Sequence, residues 1–379
     1  MRNAVHAFFS YNIIIFVLFN VIMETTADER RYPVGFVMSA QGFDQVISEL
    51  QKEYRVFAPV CKKGAGRYTD TDVVMYDEIT AAPEIDLVHK SDYSFKEFLN
   101  PLSETLFFFT EQEVKEADLN KKKVLIFLRS CDMHAVKRLD QIYLANGKEE
   151  DWFYRRRRDL VHFALIGCQS TFENCFCVDM KSNQMDDGYL FSVDCINGMY
   201  YSDVPENSIK GIFAAACETE QDVSPCFVTE NKVHVTIPED VPFEILKDSL
   251  WDEYSTRCIG CGRCNFACPT CTCYTMQDVF YTDNGKVGER RRVGASCMVD
   301  GYTNVAGGGQ YRRSQGERMR FKVLHKIYDY RKRFGYDMCV GCGRCDDICP
   351  EYISYTNIIN KVNAACEAAK QGAEEVKNG

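Results

Sequence analysis

Residues 258–269 read CIGCGRCNFACP and residues 339–350 read CVGCGRCDDICP. Each is C-x2-C-x2-C-x3-C-P, the ligand spacing of a cubane [4Fe–4S] cluster. Three thiolates two residues apart let a tight loop wrap one face of an iron–sulfur cube. Gly260, Gly262, Gly341 and Gly343 can take positive φ, so backbone N–H groups approach the sulfides. Pro269 and Pro350 redirect the chain after the last ligand. A zinc site takes four ligands in two pairs and has no use for a duplicated run of four.

Where two such runs share one chain, the fourth cysteine of each serves the other cluster. Cys258, Cys261, Cys264 and Cys349 are therefore expected to hold one cube. Cys339, Cys342, Cys345 and Cys268 are expected to hold the other. The runs lie far apart in the chain, and their flanks have helical periodicity. Phe321, Leu324, Ile327 and Tyr328 share one face before the second run, and Ile358, Ile359 and Val362 follow it. This predicts an α-helical ferredoxin-like dicluster domain with an insertion and little strand. Cys271 and Cys273 sit close enough to the first cube to replace an assigned ligand, and Cys297 has no assignment. Between the runs, residues 286–333 carry 13 Lys/Arg against 4 Asp/Glu. Arg290, Arg291, Arg292, Arg312 and Arg313 are expected to face an acidic partner.

The chain has 379 residues, 20 of them cysteine, and a net charge of −10. A chain this long does not need disulfides to hold a core, so cysteines at ligand spacing read as metal or redox sites in a reducing compartment. The acidic balance argues against nucleic acid as a partner. The apolar stretch from Phe8 to Met23 is short for a membrane span. It is read as a leader from a mis-assigned start, with initiation at Met23 or Met38, a cytoplasmic product, and a membrane location unlikely.

The first half reads as α/β. Gly42 to Tyr54 has helical spacing, Arg55 to Pro59 is extended, and Asn231 to Pro238 alternates like a half-exposed strand. Val124–Leu128 and Phe163–Ile166 are apolar runs flanking an amphipathic segment, Asp132–Leu144, which makes a βαβ unit. Arg155–Arg158 reads as a solvated helix face, and Asp132 as a helix cap. The parallel strands put Cys131 and Cys168 at one sheet edge, and Cys175 and Cys177 follow within ten residues of Cys168. Four thiols can converge there, although unrelated buried cysteines are common. The expected organisation is a leader over 1–33, an α/β domain over 34–245, and the dicluster domain over 246–379.

Several segments together resemble a known family. They are RVFAPV at Arg55, GRYTDTD at Gly66, RSCDMHAVKRLD at Arg129, FENCFCVDM at Phe172, RCIGCGRCNFACPTCTCY at Arg257, GERRRVGASCM at Gly288 and MCVGCGRCDDICP at Met338. From about Val34 to Ala369 the chain resembles the iron–sulfur electron-transfer subunits of anaerobic sulfite reductases. Its first half is also similar to the beta subunits of hydrogenase/sulfur reductase complexes. The first resemblance implies a non-catalytic electron-transfer role. The chain would relay electrons from a flavin- and NAD(P)H-binding reductase subunit to a sirohaem subunit that reduces sulfite to sulfide. The second implies the same chemistry with hydrogenase partners. A structural iron–sulfur protein is a further alternative. The family match covers Cys131, Cys168, Cys175 and Cys177, and implies a third [4Fe–4S] cluster at that edge. No dinucleotide fingerprint, phosphate loop or catalytic residue is evident.

Overall fold

The computed structural model describes residues 35–66 and 70–378. The apolar stretch at Phe8–Met23 lies outside them. In chain order the strands used below are β1 (Gly35–Met38), β2 (Tyr54–Lys62), β3 (Val73–Glu78), β4 (Ser103–Phe109), β5 (Val114–Glu116), β6 (Lys123–Arg129), β7 (Val161–Ile166), β8 (Phe191–Ile196), β9 (Met199–Asp203), β10 (Thr219–Gln221), β11 (Tyr274–Phe280) and β12 (Gly288–Gly294). The helices used below are α1 (Ala40–Leu50), α2 (Ser130–Leu144), α3 (Trp152–Arg158), α4 (Lys210–Ala216), α5 (Asp252–Arg257), α6 (Arg263–Phe266), α7 (Gln315–Leu324), α8 (Tyr330–Phe334), α9 (Arg344–Asp347) and α10 (Tyr355–Asn378).

An eight-stranded mixed sheet has the order β10-β1-β9-β8-β7-β6-β2-β3. Its centre, β2-β6-β7-β8, is parallel. The run VLIFL is apolar throughout because β6 is covered on both faces. Leu125 and Phe127 pack with α1 and α4, through Phe43, Ile47 and Phe213. Ile126 and Leu128 pack with α2, through Ala135, Val136 and Leu139. The βαβ unit β6-α2-β7 is present, with Arg129 opposite Ile166 at the strand ends.

The second half departs from the helical expectation. Strands β11 and β12 pair with each other and, through β12, with β4 of the first half in a four-stranded antiparallel sheet. The two halves of the chain are thereby interlocked. Around the cysteine runs the elements are helical: α5, α6, a π-turn at His325–Asp329 between α7 and α8, α9 and the long α10. Ile358, Ile359 and Val362 are buried with Leu324 and Ile327, as the periodicity predicts. Residues 231–238 bury alternate side chains but join no sheet. Side chains satisfy their backbone instead: Val235 N–H donates to Asp179, Thr236 N–H donates to Asn360 Oδ1, and Asn360 Nδ2 donates to His234 O. Among the described residues no helix is long and apolar enough to cross a membrane.

Candidate iron–sulfur centres

Both cysteine loops have the backbone that their glycines anticipate. Gly260, Gly262, Gly341 and Gly343 all have φ between 62° and 75°. Gly341 and Gly343 also permit close approach. A Cβ on Gly341 would lie 2.5 Å from Phe176 O, and one on Gly343 would lie 2.3 Å from Asn174 O. The N-C-F-C segment of the first half is therefore seated directly on the second loop. Phe176 N–H donates to Gly341 O at 2.8 Å, and Ser182 Oγ donates to Val340 O at 2.6 Å.

Cys349 of the second run sits with the first run. Cys258, Cys261, Cys264, Cys345 and Cys349 line one cavity with Met298, Met319, Ile353 and Ile358. Cys268 lies with Cys339 and Cys342, and burial pushes those two thiols up to about 12 and about 11. Cys345 is held above the usual thiol range by burial, then by Asp346, with Cys342 and Cys339 adding to the shift. Among the described residues no three His, Cys, Asp or Glu side chains close on a single ion. The thiols of Cys258, Cys261, Cys264 and Cys349 instead ring one cavity, an arrangement suited to a cube with an iron at each of four corners.

The electrostatics call for an anion. Lys96, Lys322 and Lys326 are each at most 5% exposed, and among the described residues none has a carboxylate at ion-pair distance. Lys96 Nζ donates to Asn265 O at 2.7 Å and Cys271 O at 3.2 Å, and Lys326 Nζ to Thr270 Oγ1 at 2.7 Å. Burial alone disfavours an ammonium. It keeps Lys96 below its ordinary range, whereas for Lys322 the sulfurs of Cys264, Cys345 and Cys271 overcome burial and lift it well above. Buried unpaired cations cost several kcal/mol each unless an anion shares the site, and a thiolate-ligated cube is such an anion. These lysines were not singled out in the sequence. Their signal is that Lys322 and Lys326 fall among Met319, Val323 and Ile327 on the buried face of α7 and the π-turn.

The basic segment 286–333 thus sends part of its charge inward, through Arg292, Arg318, Lys322 and Lys326. Arg290 pairs with Asp278 at 2.7 Å, Arg291 pairs with Glu289, and buried Arg292 pairs with Asp151 at 2.8 Å. Arg312 stacks over Phe321, and Arg313 N–H donates to Glu317. Burial withdraws Arg292 from an outward basic face, whereas the Arg290 and Arg291 side chains stay 46% and 41% exposed within their ion pairs. The arginines of α3 are likewise engaged: Arg155 with Glu150, Arg156 and Arg157 with Glu104, Arg158 with Asp140.

At the edge beyond β6 and β7, Cys175 and Cys177 are buried and Cys168 half-buried, and the three feel one another electrostatically. Buried polar groups point at them. Lys90 Nζ reaches Cys175 Sγ at 3.7 Å, Arg129 reaches Cys168 Sγ at 3.4 Å, and Asn231 reaches Cys177 Sγ at 3.7 Å. Cys131 is buried in the same apolar cluster as Cys177 and Cys342. It lies toward the second loop, and burial, then Asp132 and Cys342, push its thiol well up. Asp132 does not cap α2, whose N-cap is Arg129. It is fully buried in a bidentate pair with Arg344 of the second loop.

The far side of the first loop meets the surface. Cys261 is exposed, and Ile259 and Tyr352 are 62% and 83% exposed beside it.

Two crossed cysteine loops around shared buried cations are the arrangement of an iron–sulfur dicluster protein. The family model of a 4Fe-4S dicluster domain matches residues 257–353. The chain is also 30% identical, over 344 residues, to sulfhydrogenase 2 subunit beta of Pyrococcus furiosus, covering 86% of this chain and 97% of the relative. It belongs to the family of that beta subunit. No solved structure matches. This relative favours the hydrogenase/sulfur reductase resemblance over the sulfite reductase one.

Replacing Lys322 by glutamine is expected to lower the reduction potential of the ferredoxin-type clusters. A unit charge roughly 8 Å from the added electron, at an effective dielectric near 20, contributes about 2 kcal/mol, or about 90 mV for one electron. A potentiometric titration followed by EPR reads it. An unchanged potential would mean that the lysine is screened from the clusters.

Proposed function

We propose that this chain is the iron–sulfur electron-transfer subunit of a hydrogenase/sulfur reductase-type complex. The observation that carries the reading is the gathering of Cys349 with Cys258, Cys261 and Cys264, and of Cys268 with Cys339 and Cys342. In this reading Cys258, Cys261, Cys264 and Cys349 hold one [4Fe–4S] cluster, and Cys339, Cys342, Cys345 and Cys268 a second. Cys131, Cys168, Cys175 and Cys177 hold a third. When bound, such clusters accept and donate single electrons. The chain's residues hold the thiolates, exclude water with Met298, Met319, Ile353 and Ile358, and balance charge with buried lysines. The exposed rim of Ile259 and Tyr352 offers a docking edge at one end, and the cysteine edge of the α/β sheet lies toward the other.

Anaerobic purification of the native assembly, with identification of the co-purifying chains, tests the partners. Proteins supporting dihydrogen-dependent dye reduction or sulfur reduction are expected. A sirohaem protein with sulfite-dependent activity would replace this reading by the sulfite reductase one. A chain that binds iron but is not reduced by dithionite would be structural.

A further inference from the structure

Cys271, Cys273 and Cys297 belong to none of the three proposed cluster sites. They line one cavity of about 300 Å³ together with Tyr302, Lys322 and Lys326. Ala295 N–H donates to Cys273 O at 2.9 Å, which extends the β11–β12 ladder and brings the two cysteine-bearing segments side by side. Cys297 is buried and Cys273 half-buried. The Cys273 and Cys297 thiols lie close enough to shift each other's acidity, and Asn265 Nδ2 donates to Cys297 Sγ at 3.1 Å. Cys271 turns the other way, toward Cys268. Cys273 and Cys297 thus form a pair apart from Cys271.

We propose that Cys273 and Cys297 are a reversible dithiol/disulfide couple facing this cavity, a two-electron site beside one-electron centres. Forming the S–S bond releases two electrons and one proton from a Cys273 thiolate and a Cys297 thiol. Cleaving it takes up the same two electrons and one proton. The thiolate form is favoured locally, because the hydrogen bonds from Cys297 and the Lys326 ammonium hold Cys273 below the usual thiol range. A partly accessible thiolate beside a cation is the setting in which cysteines react. The electron partner in both directions is a one-electron iron–sulfur centre: two electrons delivered singly by reduced centres cleave the bond, and oxidised centres accept, one at a time, the two electrons that its formation releases. That identity rests on the proposed function, whereas the couple itself does not.

The test uses the full chain with its native iron, prepared anaerobically. After diamide treatment, iodoacetamide alkylation and digestion, mass spectrometry should find Cys273 joined to Cys297 in most chains, with iron content unchanged. Dithionite should return both as alkylated cysteines. In a reductive titration of the oxidised protein, Cys297→Ser should take up about two fewer electrons per chain than the wild type, as a two-electron couple requires. Two singly alkylated cysteines after diamide, or a cross-link that appears only as iron is lost, would overturn the couple. Loss of iron in Cys297→Ser would do so as well, by making Cys297 a ligand. Failure of the electron-transfer reading is visible separately, as a wild-type chain with no reducible iron whatever its thiols do.

Discussion

Replacing Asp132 by alanine is expected to destabilise the folded chain by about 3–5 kcal/mol, the cost of leaving a buried charge without its partner. Asp132 is 0% and Arg344 1% exposed. Their two hydrogen bonds measure 2.6 and 2.8 Å, and the guanidinium also donates to Ser91 O and Ser91 Oγ at 2.9 Å each. The pair ties the first turn of α2, at the end of β6, to the residue between Cys342 and Cys345. Loss of the carboxylate strands a guanidinium inside the protein, next to the second cysteine loop. Chemical denaturation under anaerobic conditions should show the loss. Iron retention by the second loop should fall with it. Asp132→Leu combined with Arg344→Met should recover much of the stability, because a neutral pair leaves no buried charge. A double variant as unstable as Asp132→Ala would instead attribute the loss to packing.

This pair also marks where sequence reading stops. Arg263 and Arg344 occupy the same place in the two repeats, yet Arg263 is exposed and Arg344 is buried. A repeat fixes local loop geometry, hence the four positive-φ glycines, but not what the rest of the chain packs against it. Local periodicity likewise revealed β6, α2, β7 and the buried face of α10. It did not reveal β11, whose residues are almost all exposed, or β12, whose charged run GERRRVG pairs with the distant β4. Nor did net charge along 286–333 reveal which way its side chains point. Arg290 meets its acid across a strand pairing and Arg292 between elements, while Lys322 and Lys326 turn inward among sulfurs. The cysteine spacing was legible because its chemistry is local. The counter-charges come from distant segments, such as Lys96 before β4.

Anaerobic iron analysis of the intact chain should give about 12 irons, and Cys175→Ser with Cys177→Ser about 8, at four per cube. The expectation rests on how the N-C-F-C segment sits. Cys175 and Cys177 flank Phe176, whose N–H binds Gly341 O, and Cys175 Sγ lies 3.5 Å from Cys342 O. Lys90 bridges the same junction, reaching Cys175 Sγ, donating to Cys342 O at 2.8 Å and pairing with Asp347 at 2.6 Å. A third cluster here would adjoin the second loop through direct contact, with Cys131 between Cys177 and Cys342. It would extend the electron path from the exposed rim at Ile259 into the α/β half. The ferredoxin-type pair should stay reducible in the double variant, since neither of its cysteine sets is touched. Cys131→Ser alone separates the fourth ligand from a bystander: loss of about four irons makes it a ligand, and full retention passes that role to another group near Cys168. A wild-type chain with about 8 irons, matched by the double variant, would leave these cysteines as packing around the second loop.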